Sequence, residues 1–409
     1  MNPHSSASSR SSSRIATRCA LLLLGAVALL AACTPPPVVC PSGIELLNTD
    51  VDAGAGWRYD YYVNHDQPCS ESGEQTFMVG TRLTDDASQP APLWAYLHGG
   101  GVGYYQDGAP MPNAVNKTQE PANRLKSHLK GGLADRVKES PAGFRMLAVS
   151  MCSHDTYAGF NSPDPGNDTP YEGQVGVPTT GGSSALAAIH FVEQRYATDD
   201  VVLAGGSAGS AGAMNVGYWM EQHGEKPTAI VADSGVVNAH FAATQSAIGP
   251  TLPDGTNNEC YRSDEALAAI PARWDPAFQT LDAQHHLRLT SGQLTVPLMH
   301  VWNTNDSNQC GARLVDCQLP DGTTQVMGST QCENRPIHDA IVALPASRHS
   351  VDFEVCVDKP GLNYPEDCDW HVPTQTNDVP NTRAAAGSPE RDHNGFVMAW
   401  VEERVQATP

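Results

Sequence analysis

The chain has 409 residues, with 24 Lys and Arg against 45 Asp and Glu, a formal net charge of −21. A surface this acidic repels polyphosphate, which argues against nucleic acid or an anionic lipid face as partner. The length suits one large domain, and no internal repeat divides it.

Residues 1–33 read as a targeting segment. Arg10, Arg14 and Arg18 form a basic region, and Ala20–Leu30 is apolar yet too short to span a bilayer. The segment ends in Leu30-Ala31-Ala32-Cys33, which resembles a bacterial lipobox. That resemblance implies cleavage before Cys33 and diacylation of its thiol, and so a membrane partner through a lipid anchor. Thr34 follows rather than Asp, which points to an outer-membrane lipoprotein of a bacterial envelope; a plain signal peptide and a periplasmic or secreted product is the alternative. Residues 34–43, with Thr34-Pro35-Pro36-Pro37, read as a stiff tether, and residues 44–409 as the folded domain.

Of the eleven cysteines, Cys19 lies in the targeting segment and nine follow Cys33, at positions 40, 69, 152, 260, 310, 317, 332, 356 and 368. In an exported chain this density predicts disulfides, and an odd number leaves one thiol over. Cys356 and Cys368 are close enough in sequence for a local bridge. No C-x-x-C and no zinc-like histidine pair accompany them, so the spacings are not those of a zinc site. No metal and no cofactor is expected.

In chain order, Ile44–Val51, Trp57–Val63 and Thr76–Leu83 predict early strands, and Leu93–Leu97 and Phe144–Met151 buried central ones. Ser183–Ala197 predicts a helix capped by Ser183 or Ser184, with Leu186, Ile189, Phe191, Val192 and Tyr196 on its apolar face. Val201–Leu203 predicts a strand, Ala208–His223 a helix and Thr228–Ala232 a strand. Residues 236–290 read as an irregular insertion, with a helical patch at Ser263–Ala269, that caps the site. Val296–Val301 and Val351–Val357 predict the last strands, and Gly395–Val405 the closing helix. Strands alternating with helices imply an α/β fold with a mostly parallel sheet covered on both faces.

Two motifs carry chemistry. Gly205–Gly209 is a G-x-S-x-G turn between the strand at Val201–Leu203 and the helix at Ala208, the setting of a nucleophile elbow with Ser207 at its tip. His98-Gly99-Gly100-Gly101-Val102-Gly103 directly follows the strand Leu93–Leu97. A side-chain-free loop there lets main-chain N–H groups reach a developing oxyanion, so Gly100, Gly101 and Ala208 are the candidate donors.

A serine needs a base and an orienter for that base. Chain order places the acid after the nucleophile, where Asp306 follows the strand Val296–Val301; Asp233, after the strand Thr228–Ala232, is its rival. His371 and His393 both follow the last strand and are the candidate bases. His349 precedes that strand, and His300 lies within a buried one and reads as a core histidine.

Together these residues resemble the pectin acetylesterase–Notum family over roughly residues 90–405. The likeness rests on the H-G-G-G loop, the elbow, Ala232-Asp233-Ser234-Gly235, Asn305-Asp306-Ser307, His371-Val372-Pro373-Thr374 and Asn394-Gly395-Phe396-Val397. The resemblance implies an α/β-hydrolase fold, hydrolysis of carboxylic esters without metal, and a triad of Ser207, Asp306 and His371; an acylated carbohydrate, acetylated among others, or another ester is the expected substrate. Family members usually carry Glu where His98 stands. The expectation is an exported serine esterase. Two alternatives are a lipase or polyester hydrolase with the same triad and an inactive binding lipoprotein on a hydrolase scaffold.

Overall fold

The computed structural model describes residues 43–69, 73–103, 105–106, 109–110, 119–164, 170–171, 174–175, 177–235, 264–280, 285–303, 306, 314–318, 323–355, 371–375 and 392–406. The Cys33 lipobox, most of the tether, residues 236–263 of the insertion and the Cys356–Cys368 pair lie outside the described residues. Among the described residues, no helix is long and apolar enough to cross a membrane.

Nine strands form the main sheet: β1 (Ile44–Asp52), β2 (Trp57–Pro68), β3 (Glu74–Arg82), β4 (Ala91–Leu97), β5 (Arg145–Val149), β6 (Thr198–Gly206), β7 (Ala229–Asp233), β8 (Leu298–Asn303) and β9 (Val351–Val355). Their order is β1-β2-β3-β5-β4-β6-β7-β8-β9. The first three pair antiparallel, as does β3 with β5, and every pair beyond is parallel. The strands β5, β7 and β8 are buried at every position, as a parallel sheet packed on both faces requires.

Alternation along the central strands separates two cores. Leu93, Ala95, Leu97, Leu203 and Ile230 pack with Ile189, Val192 and Val216 of α3 (Gly181–Arg195) and α4 (Ala208–Gln222). On the other face Trp94, Met146, Val202, Val231 and Met299 meet α1 (Ala122–His128), α2 (Gly132–Glu139) and α8 (His393–Gln406) through Leu125, Val137, Val397 and Val401. The other α-helices among the described residues are α5 (Asp264–Ala272), α6 (His285–Ser291) and α7 (Ser329–Ala343).

The cap of α3 departs from the sequence expectation. The helix starts at Gly181 and neither Ser183 nor Ser184 caps it. A carboxylate from elsewhere does the work: Gly181 N donates to Asp155 Oδ2 at 2.9 Å, while Gly182 N and Ser183 N donate to the Gly159 carbonyl. Ser183 Oγ donates instead to Gln67 Oε1 at 2.9 Å. The free first-turn N–H groups of a helix take any acceptor in reach, and a tertiary one prevails here. Cys69 is bonded to Cys152, which ties the end of β2 to the loop after β5.

Candidate active site

The carboxyl ends of β4, β6, β8 and β9 open on one edge of the sheet. The strand order reverses at β4, whose neighbours β5 and β6 leave it in opposite directions, and a crevice forms at such a switch point.

Ser207 sits where β6 turns into α4, with φ 56° and ψ −128°. This is a conformation that a residue with a Cβ seldom adopts, and it costs about 1–3 kcal/mol. Close approach explains the flanking glycines: a Cβ on Gly205 would lie 2.0 Å from the Gly209 carbonyl oxygen, and one on Gly209 1.9 Å from that of Leu97. The turn is held by Ser207 N donating to the Asp233 carbonyl at 2.9 Å. Ser207 remains partly exposed, whereas Ser210, one turn on, is fully buried under Gly235.

The glycine loop after β4 lies against this serine. A Cβ on Gly99 would come within 2.7 Å of Ser207 Cβ and 3.4 Å of its Oγ. Among the described residues, no acceptor engages the N–H of Gly100 or Gly101. Ala208 opens α4 directly after the serine.

Across the crevice, His371 Nδ1 lies 2.7 Å from Asp306 Oδ2. Asp306 is fully buried just beyond β8, and its N–H donates back to the Asn303 carbonyl. An ionised carboxylate only accepts, so Nδ1 carries the proton and Nε2 is left as a base. Val372, next in the chain, covers Gly206: a Cβ there would meet Val372 Cγ1 at 2.5 Å. Among the described residues, no hydrogen bond joins His371 to Ser207 Oγ.

The rival acid and base hold the segment that carries His371. Asp233 Oδ2 accepts from Thr374 N at 2.8 Å and from the Thr374 hydroxyl, and Ser234 Oγ donates to Asp233 Oδ1 at 3.0 Å. His393, buried at the head of α8, donates from Nε2 to the Pro373 carbonyl at 2.6 Å. Val372 N donates to Ser234 Oγ at 3.2 Å. Burial raises the Asp233 carboxyl to about 6, against the pull of the Thr374 and Ser234 hydrogen bonds and, least, of His371. His300 is a core residue, with Nδ1 2.7 Å from Asp352 Oδ1 and Nε2 3.0 Å from Asn334 Oδ1.

Several residues that shape this edge have no signature in the sequence. Arg273, 1 % exposed, pairs with the buried Asp164 at 2.7 Å and donates to the carbonyls of Gly103 (2.6 Å), Ser153 (2.7 Å) and His154 (3.3 Å). It thereby fastens the far end of the glycine loop to the loop after β5. In that second loop His154, Thr156, Tyr157 and Asn161 all have positive φ. Asp155 holds it by accepting from the N–H groups of Tyr157 and Gly159. Arg273 and Asp164 are 109 residues apart, so local pattern cannot link them. Arg273→Met leaves Asp164 buried without a counter-charge and is expected to destabilise the fold by about 3–5 kcal/mol. Urea unfolding reads this, and a change below about 1 kcal/mol contradicts it.

The strand order and the elbow at the end of β6 define an α/β-hydrolase fold. No protein family model matches the sequence, and no curated protein does. Solved structures do match. An esterase from the fungus Rhizomucor miehei is 12 % identical, over 94 % of this chain and 95 % of that one, with a TM-score of 0.43. A bacterial brefeldin A esterase, homologous to human hormone-sensitive lipase, is 14 % identical, over 98 % and 86 %, with a TM-score of 0.37. A thermostable esterase from Pseudomonas putida is 15 % identical, over 82 % and 77 %, with a TM-score of 0.36. At these scores the likeness carries no argument about activity, and the fold assignment stands on topology.

Proposed function

We propose that this chain is an exported serine esterase in which Ser207, His371 and Asp306 form the triad and Gly100, Gly101 and Ala208 supply the oxyanion donors. The observation that carries the reading is the His371–Asp306 contact, on the same sheet edge as a serine in the strained elbow conformation. In the first half-reaction Ser207 Oγ bonds to the ester carbonyl carbon while its proton passes to His371 Nε2. Collapse of the tetrahedral intermediate breaks the bond to the alcohol, which leaves with that proton. Water then attacks the acyl-enzyme with His371 again as base, releasing the acid and Ser207. Asp306 keeps the imidazole in the tautomer that presents Nε2. The chemistry asks for no metal or cofactor.

The substrate proposed is a short acyl ester, acetyl first, on a carbohydrate, by resemblance to the pectin acetylesterases. Residues 236–290 are proposed to cap the site. A second reading, a lipase or polyester hydrolase, draws on one observation: Ile270, Trp274 and Phe278 of that insertion cluster with Ala158 and pack against Val102 of the glycine loop and Phe160. Turnover of p-nitrophenyl esters of rising chain length, beside acetate release from acetylated pectin and xylan, tests both. A maximum at acetate with release from a polysaccharide supports the first reading. Rates that climb with chain length favour the second. No turnover of any ester leaves the inactive scaffold.

Anchoring through Cys33 is part of the same proposal. Metabolic labelling with an alkyne fatty acid is expected to tag the wild type and not Cys33→Ser, which is expected to leave the membrane fraction. Equal labelling of both removes the anchor from the account.

A further inference from the structure

We propose that His98 is a positioning residue: held at Nε2 by Glu120 and the Met151 N–H, it donates from Nδ1 to the Gly99 carbonyl and so fixes the direction of the Gly100 N–H. This rests on the esterase reading of Ser207 above. His98 is 1 % exposed at the end of β4 and uses both ring nitrogens: Nε2 lies 2.6 Å from Glu120 Oε2, and Nδ1 lies 2.5 Å from the Gly99 carbonyl oxygen.

The Gly99 carbonyl decides the protonation of Nδ1. A carbonyl oxygen can only accept, so Nδ1 carries a proton. Glu120 is also buried; burial pushes its carboxyl up, but His98, with Arg124 and His128 behind it, holds it below its ordinary value. Nε2 accepts from the Met151 N–H at 3.1 Å beside its 2.6 Å contact with Glu120 Oε2. These contacts, sealed from solvent beneath the glycine loop, set the ring so that Nδ1 faces the Gly99 carbonyl. His128 stacks on the ring, with centroids 4.4 Å apart.

The loop needs such a grip because, among the described residues, no other hydrogen bond engages the Gly99–Gly100 peptide. Three consecutive glycines leave the Gly99–Gly100 peptide free to turn over. In a planar trans peptide the carbonyl and the following N–H point in opposite directions. Turned over, this unit replaces the Gly100 donor with the Gly99 carbonyl oxygen, which repels an oxyanion. The unit adjoins the nucleophile, since a Cβ on Gly99 would be 3.4 Å from Ser207 Oγ. A proton donated from His98 to that carbonyl holds one orientation before substrate arrives, which is what preorganised stabilisation of a developing charge requires.

Two near-isosteres separate this role from packing. His98→Asn places an amide N–H₂ near the position of Nδ1 and keeps a donor for the Gly99 carbonyl. His98→Gln places it near Nε2, keeping a donor for Glu120 and losing the one to Gly99. With p-nitrophenyl acetate, His98→Asn is expected to retain kcat within about ten-fold of wild type. His98→Gln is expected to lose about 100-fold or more in kcat with KM within about three-fold, the signature of a lost oxyanion donor. Affinity for a boronic acid, a mimic of the tetrahedral state, is expected to fall in parallel. Equal losses in the two variants, the reverse order, or a loss confined to KM overturns the proposal. Should neither variant fold, histidine-selective ¹⁵N NMR of the wild type serves instead, because it reads which ring nitrogen of His98 carries a proton. A protonated Nδ1 supports the grip, and a ring protonated on Nε2 alone overturns it. A wild type that turns over no ester fails the esterase reading itself, whereas an active wild type with an unimpaired His98→Gln fails this inference alone.

Discussion

Ser207→Ala is expected to lower kcat by about 10⁵–10⁶-fold, since losing the nucleophile of a serine triad leaves only binding and oxyanion stabilisation. The fold is expected to survive, because Ala meets the same strain at φ 56° and the turn is held through backbone hydrogen bonds. A companion substitution sharpens the test. Glycine takes this conformation without penalty, so Ser207→Gly is expected to be equally inactive yet more stable, by about 1 kcal/mol. Gain of stability with loss of activity is the pattern of a residue kept strained for chemistry. Measured esterase kinetics and thermal unfolding decide it. Substantial activity in Ser207→Ala, or a less stable Ser207→Gly, contradicts the assignment.

Asp306→Asn is the second large effect, with kcat falling by about 10⁴-fold and secondary structure unchanged. The amide can present an N–H₂ to His371 Nδ1, which favours the tautomer with its proton on Nε2, the wrong nitrogen for a base. Asp233→Asn is expected to behave differently. The Asn oxygen can still accept from Thr374, so kcat is expected to stay within about ten-fold of wild type. What changes is the dependence of stability on pH. With its carboxyl raised from 3.8 to about 6, Asp233 holds more proton in the folded chain than in the unfolded one across that window. Its contribution is therefore complete below pH 3.8 and lost as pH rises through 6. Chemical denaturation between pH 4 and 7 is expected to show that decline in the wild type and a flatter curve in Asp233→Asn. Collapse of kcat in Asp233→Asn with little change in Asp306→Asn reverses the two roles.

The α/β architecture is legible because its central strands are short apolar runs and each glycine motif stands next to one of them. Leu93–Leu97 before His98 and Val201–Leu203 before Gly205 are local patterns, and local patterns survive in a sequence. Helix starts were less legible: α3 takes its cap from Asp155, 26 residues away, rather than from its own serines. The two late histidines show the same limit. Both stand after the final strand and both reach the site edge, yet His371 meets Asp306, 65 residues back, while His393 meets the Pro373 carbonyl. Nothing in their flanking residues distinguishes those fates. Arg273 and Glu120 are invisible for a related reason, since a buried charge is defined by its partner, and the partner is found only once the chain has folded.

The central claim, that Ser207 is a nucleophile activated by His371, has one direct measurement. The wild type, Ser207→Ala and His371→Ala are incubated with a fluorophosphonate probe, and the adduct is located by peptide mass spectrometry. The account predicts a single adduct on the peptide containing Ser207 in the wild type, none in Ser207→Ala, and labelling slowed by orders of magnitude in His371→Ala. An adduct on another serine, or labelling of Ser207 at an unchanged rate without His371, contradicts it.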